Sequence, residues 1–224
     1  MLKKMLTISG LCLFALAAAG VGRADTMTFT LTVDGCSGSG CGTGPYGTIT
    51  LTQNGSNVDV TETLASGYYF VNTGTSTGNE PLEFNLSSGG TITNVQSSTY
   101  FAAGTASSYS ASIFGNFTNA IVCTTACGNG ASNAFNIPQT LSFTVDGVTL
   151  SDFVGNGSTP STGYFFASDV GEAGYSNDVW TIIATGNVGS NGPSTPVIPE
   201  PPSLLLLGTG LAALAGMMKL KAMA

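Results

Sequence analysis

Between Asp25 and Ile198 the sequence has no lysine, no arginine and no histidine. The five basic residues, Lys3, Lys4, Arg23, Lys219 and Lys221, all lie near the ends of the 224-residue chain. A body without cations has nothing with which to neutralise phosphates, and this excludes nucleic-acid binding. It also lacks the His and Lys that serine, cysteine and zinc hydrolases use for proton transfer and metal ligation. Charged residues of either sign are scarce, at 8%. No stretch of the body keeps a helical period for more than two turns, which argues against helices. No unit repeats at a fixed period.

What remains is rich in glycine, threonine and serine, with 42% hydrophobic residues. Thr28–Val33, Thr48–Thr52 and Asn57–Thr61 alternate apolar and polar residues, as half-buried strands do. Leu82, Phe84 and Leu86 share one face, as do Leu141, Phe143 and Val145. Val179–Ala184 reads as a buried strand. Turn signals stand at Asn54-Gly55, Gly89-Gly90, Asp146-Gly147 and Asn156-Gly157; the first and third follow alternating segments and predict hairpins. The pattern predicts an all-β fold: about ten short strands in an antiparallel two-sheet sandwich, jelly-roll-like, over residues 25–187. That length suffices for one core.

Of the 12 Asp and Glu residues, all but Glu200 lie in the body, which makes 11 without a cation to pair with. Most must therefore be solvated. Glu62 is on the same period-two face as Val58, Val60 and Leu64. Either it is buried with a raised pKa or a metal partner, or a bulge or strand end turns it outward; the outward position is the expectation. Asp169, Glu172, Asn177 and Asp178 form an oxygen-rich, glycine-flanked segment, a weak calcium candidate that departs from the EF-hand spacing. A solvated connection between strands is the expectation there. Glu80 and Glu83 fall on opposite-facing positions of one strand, whereas glycoside hydrolysis needs two acids across a cleft. Tyr68, Tyr69, Tyr164, Phe165, Phe166 and Trp180 are candidates for sugar stacking, though equally ordinary in a sandwich core. The expectation is no enzymatic activity, no catalytic residue and no cofactor.

Residues 1–24 read as a secretory signal peptide and its helix. Lys3 and Lys4 supply the positive start, Leu11–Ala19 the apolar centre and Gly22-Arg23-Ala24 the small residues before a cut. Cleavage is expected between Ala24 and Asp25, with a cut after Ala19 as second choice. Cys12 leaves with this segment. Export places Cys36, Cys41, Cys123 and Cys127 in an oxidising compartment. Their C-x4-C and C-x3-C spacings favour the local bridges Cys36–Cys41 and Cys123–Cys127. A long-range pairing of the two loops and a four-cysteine zinc site are the rivals.

Residues 188–198 read as a flexible linker. Pro199-Glu200-Pro201 follows, then the apolar run Leu204–Met218, then Lys219 and Lys221. A helix over the run rises about 22 Å, short for a hydrocarbon core of about 30 Å. It predicts a weak transmembrane helix at about 203–220, with the two lysines held cytoplasmic and the body outside. Val197-Ile198-Pro199-Glu200-Pro201, the leucine run, the Gly208-Thr209-Gly210 break and the basic end together resemble the PEP-CTERM sorting signal of Gram-negative bacteria. Two lysines stand where that family usually carries an arginine-rich cluster. The resemblance covers about 26 residues, 199–224. It implies secretion machinery and signal peptidase as partners, then an exosortase-like membrane protease-transpeptidase acting near Pro199-Glu200-Pro201. The expected product is an exported protein of the cell surface or exopolysaccharide matrix. The alternatives are an exported carbohydrate-binding module and an unprocessed membrane-anchored surface domain.

Overall fold

The computed structural model describes residues 25–36, 40–74, 77–124, 135–157, 163–176 and 179–197. The expected signal helix and C-terminal transmembrane helix both lie outside these residues. Among the described residues no helix is long and apolar enough to cross a membrane.

In chain order the strands are β1 (Thr26–Leu31), β2 (Val33–Cys36), β3 (Gly47–Asn54), β4 (Asn57–Leu64), β5 (Tyr68–Phe70), β6 (Leu82–Leu86), β7 (Thr91–Thr93) and β8 (Phe101–Ala103). They continue with β9 (Tyr109–Ala111), β10 (Gly115–Phe117), β11 (Asn119–Cys123), β12 (Thr140–Asp146), β13 (Phe153–Val154), β14 (Phe166–Ser176), β15 (Val179–Ser190) and β16 (Pro193–Val197). The fold is all-β, and every pairing between strands is antiparallel. One sheet runs β16-β1-β3-β4-β12-β7. The other runs β2-β15-β14-β6-β11-β8, with β5 beside β14 and β13 beside β6.

The predicted alternation explains the core. Phe29, Leu31, Ile49, Leu51, Val58, Val60, Leu141, Phe143 and Val145 of the first sheet are buried. They share one apolar cluster with Phe70, Leu82, Phe84, Phe101, Ile121, Phe166, Val170 and Val188 of the second. Opposite-parity residues of the first sheet are polar and bond across strands: Thr61 with Ser142 at 3.1 Å, and Thr144 donating to Asp59 at 2.9 Å. Phe84 lies at the centre of the core, its ring 5.7 Å from Phe143, 5.6 Å from Phe153 and 6.3 Å from Phe166.

Three expectations are corrected. Thr28–Val33 is not one strand: the chain leaves the first sheet after Leu31 and enters the second at Val33, with Thr32 donating its N–H to Gly189. Asn54-Gly55 closes the β3–β4 hairpin, with Asn54 opposite Asn57 and Gly55 at φ +62°. Asp146-Gly147 makes a turn but no hairpin, because β12 pairs with β4 and β7 rather than with the strand that follows. The expected linker is also sheet: β15 runs to Ser190, and β16 closes onto β1. Backbone pairing at that sheet edge needs no hydrophobic period, so composition hid it.

Phe84→Ala is expected to lower stability by about 3–5 kcal/mol, as large core truncations do. Ile113, 64% exposed, is the control: Ile113→Ala should change it by about 0.5 kcal/mol or less. Denaturant titration of both variants checks this.

Candidate functional site

The second sheet buries its other face too. Odd-numbered residues at the start of β14 point away from the main core, and Ala167 joins Ala111, Phe114 and Phe117 in a second small cluster. The β9–β10 hairpin and the described residues of segment 71–80 (71–74 and 77–80) belong to this added layer, tied together where Asn79 donates its N–H to Ser110 and Ser110 donates to Thr77. Within segment 71–80, Gly74 approaches Gly78 so closely that a Cβ would overlap the Gly78 carbonyl.

Three carboxylates hold this segment. Asp169 of β14 accepts the Thr73 N–H at 2.6 Å and the Thr73 hydroxyl at 2.8 Å. Glu80 accepts the Asn72 side-chain amide at 3.1 Å and the backbone N–H of Cys123. Glu83 of β6 accepts the Glu80 N–H at 2.9 Å through Oε1, while its Oε2 is buried without a partner. Asp169 returns its own N–H to the Glu80 carbonyl at 3.0 Å. All three acids are buried. Burial pushes Glu80 and Glu83 up to about 7 and Asp169 well above the usual carboxylate range, and mutual repulsion adds to the rise for Glu83 and Asp169. The donated N–H groups oppose this by favouring the charged form. Sequence reading separated Glu80 from Glu83. The structure joins them because Glu80 precedes β6 and turns its backbone back toward Glu83. The available signal was the apolar frame of Phe165-Phe166-Ala167-Ser168-Asp169-Val170, which is a buried strand rather than a solvated one.

The calcium candidate falls only in part within the described residues. Asp169 and Glu172 leave opposite faces of β14, and Asp178 lies outside the described residues. Glu172 instead lies beside Gly42 and Tyr68 at one end of the sandwich. That end carries the Cys36–Cys41 disulfide, whose Cα atoms are 5.5 Å apart. Asp34 accepts the N–H groups of Cys36 at 2.9 Å and Cys41 at 3.2 Å. Tyr68 donates to the Cys41 carbonyl at 2.8 Å and Tyr46 to the Gly42 carbonyl at 3.1 Å. Burial raises both phenols, with Asp34 adding most to Tyr46 and Glu172 to Tyr68. Asp34, Cys36 and Cys41 bring ligand atoms within 4.8 Å of one another. The sulfurs are spent on each other, so the group braces a loop rather than holding a metal. Cys123 is also disulfide-bonded; Cys127 lies outside the described residues.

Glu62 is not turned outward. It is fully buried on the core face of β4, and loss of hydration pushes it up to about 8. Of the aromatics considered for sugar stacking, Tyr68 and Phe166 are buried in the core, and Tyr69, Tyr164 and Phe165 are half-buried. An open groove of 460 Å³ lies between Met27, Leu150, Phe153, Phe165 and Pro193; its polar side chains are Ser151 and Asn191. Ala24, Pro199, Glu200, Pro201, Lys219 and Lys221 lie outside the described residues, and Asp25 begins them.

Glu80 and Glu83 bind protons more tightly folded than unfolded, and Asp169 is shifted in the same direction. The contribution of the two glutamates is therefore fully present below about 4.5, the ordinary glutamate value. It is lost as pH rises through about 7. The denaturation midpoint is therefore expected to fall between pH 5 and pH 9, and Glu83→Gln should flatten that fall. Separately, reducing the short Cys36–Cys41 loop should cost about 2 kcal/mol by the chain-entropy argument, read as a midpoint shift of Cys36→Ser/Cys41→Ser against the parent.

Neither a protein-family model, nor a curated protein, nor a solved structure matches this chain.

Proposed function

We propose that the protein is a non-enzymatic exported component of the cell surface or extracellular matrix, delivered by its N-terminal signal and sorted through its C-terminal PEP-CTERM-like tail. The structural observation that supports export is the closed Cys36–Cys41 disulfide, a bond that persists in oxidising compartments. The site chemistry favours a structural role. The buried acids accept hydrogen bonds from the chain's own backbone, and Asp34 does the same at the sandwich end. These groups are committed to holding loops in place. The connectivity, in which the chain passes repeatedly from one sheet to the other, as at β1–β2, β2–β3, β4–β5, β6–β7, β7–β8, β11–β12, β12–β13 and β15–β16, supports the jelly-roll-like reading. The carbohydrate-binding alternative draws less support, since the groove walls are apolar and two of the candidate stacking rings are in the core.

Intact mass of the protein from surface and membrane fractions of its own host tests this. The expected surface species starts at Asp25 and ends near Pro199–Pro201. A membrane species retaining Leu204–Ala224, with none at the surface, would contradict the sorting step.

A further inference from the structure

Glu62 of β4 and Ser168 of β14 meet inside the inter-sheet core. Both are fully buried. The Ser168 hydroxyl is the one side-chain group that acts on the Glu62 carboxyl, favouring its charged form slightly against the burial. Even so, no well-formed hydrogen bond joins them: both Glu62 oxygens and the Ser168 Oγ are without partners. Their surroundings are apolar. Glu62 stands in register with Ile49 and Leu141, and Ser168 with Val188, all three fully buried. A lone acid and a lone hydroxyl each carry the cost of lost hydration. The sequence contains no cation in the body that would relieve Glu62.

We propose that Glu62 and Ser168 are joined by an ester bond that staples the two sheets. In the condensation, Ser168 Oγ adds to Glu62 Cδ, the Oγ–Cδ bond forms and the Cδ–OH bond breaks. The departing hydroxyl takes the serine proton and leaves as water. No oxidant or reductant is needed, and the product is lighter by one water. Three features favour the step. The acid is kept neutral, and a neutral carboxyl accepts an alcohol where a carboxylate does not. Two groups enclosed together in one core gain from proximity, with effective concentrations that reach about 10⁵–10⁸ M in well-oriented intramolecular cases. The apolar walls exclude the water that would reverse it. The bond also removes two unpaired polar groups at once.

The test is the mass of the full chain as purified, reduced and fully unfolded, with chymotryptic peptides read by tandem mass spectrometry. Trypsin has no site between Asp25 and Ile198. The expected result is a species one water lighter than its own termini require. A peptide containing Glu62 should be linked to one containing Ser168, and hydroxylamine should release the link as a Glu62 hydroxamate. Ser168→Ala should return the mass to that of the open chain. If that variant does not fold, the parent measurement decides alone. A parent at full mass with separate Glu62 and Ser168 peptides overturns the proposal.

Discussion

The fold is built around acids that have no cations to pair with. In most domains a buried carboxylate is relieved by Arg or Lys, which supply charge and donors together. Between Asp25 and Ile198 this chain offers neither. Its buried acids have two remaining means of relief, to accept backbone N–H groups or to stay protonated, and the structure shows both. Asp152 illustrates the first in exposed form: it accepts from Thr149 and Ser87, which hold it down at about 2. Glu62 is the extreme: as a free acid it is raised to about 8 with no hydrogen-bond partner, and there the proposed ester takes the place of the proton. Glu80, Glu83 and Asp169 stand between, partly satisfied and partly neutralised.

This constraint explains why the acids lie where chain segments must be fixed. The segment 71–80 has little apolar surface with which to hold itself down; its Asn, Thr and Gly residues cannot supply a core. What it can supply is N–H groups: Asp169 of β14 receives that of Thr73, Glu83 of β6 that of Glu80, and Glu80 itself the Asn72 amide. The disulfide end repeats the device with Asp34, helped by the hydroxyls of Tyr46 and Tyr68. A threonine-rich outer face completes the pattern on the first sheet: cross-strand polarity there comes from hydroxyls, as in Thr61 with Ser142 and Thr144 with Asp59, rather than from ion pairs.

Strand identity was legible because period-two alternation reports burial directly; β3, β4 and β12 follow the sequence pattern closely, whereas β6, covered on both faces, buries Glu83 along with Leu82 and Phe84. The local Cys36–Cys41 bridge was legible from spacing and compartment. Glu62 was misjudged on a sound general rule, that unpaired buried acids are expensive, although its alternation with Val58, Val60 and Leu64 pointed inward. There the period was the better guide. The acid cluster was illegible for another reason. Glu80 and Glu83 share one stretch but Asp169 comes from another, and only the pairing of β14 beside β6 brings it to them. β16 was hidden because Pro-Ser-Thr-Pro carries no hydrophobic signal, and its place is fixed by hydrogen bonds to β1.

The central claim is that this body solves its acid burial with backbone donors and retained protons. Carboxyl carbon NMR of the folded protein, followed through a pH titration, measures this residue by residue. The account predicts that Glu80 and Glu83 titrate near 7, Asp169 well above the usual range and Asp152 near 2. All four titrating together in the ordinary carboxylate range would contradict it.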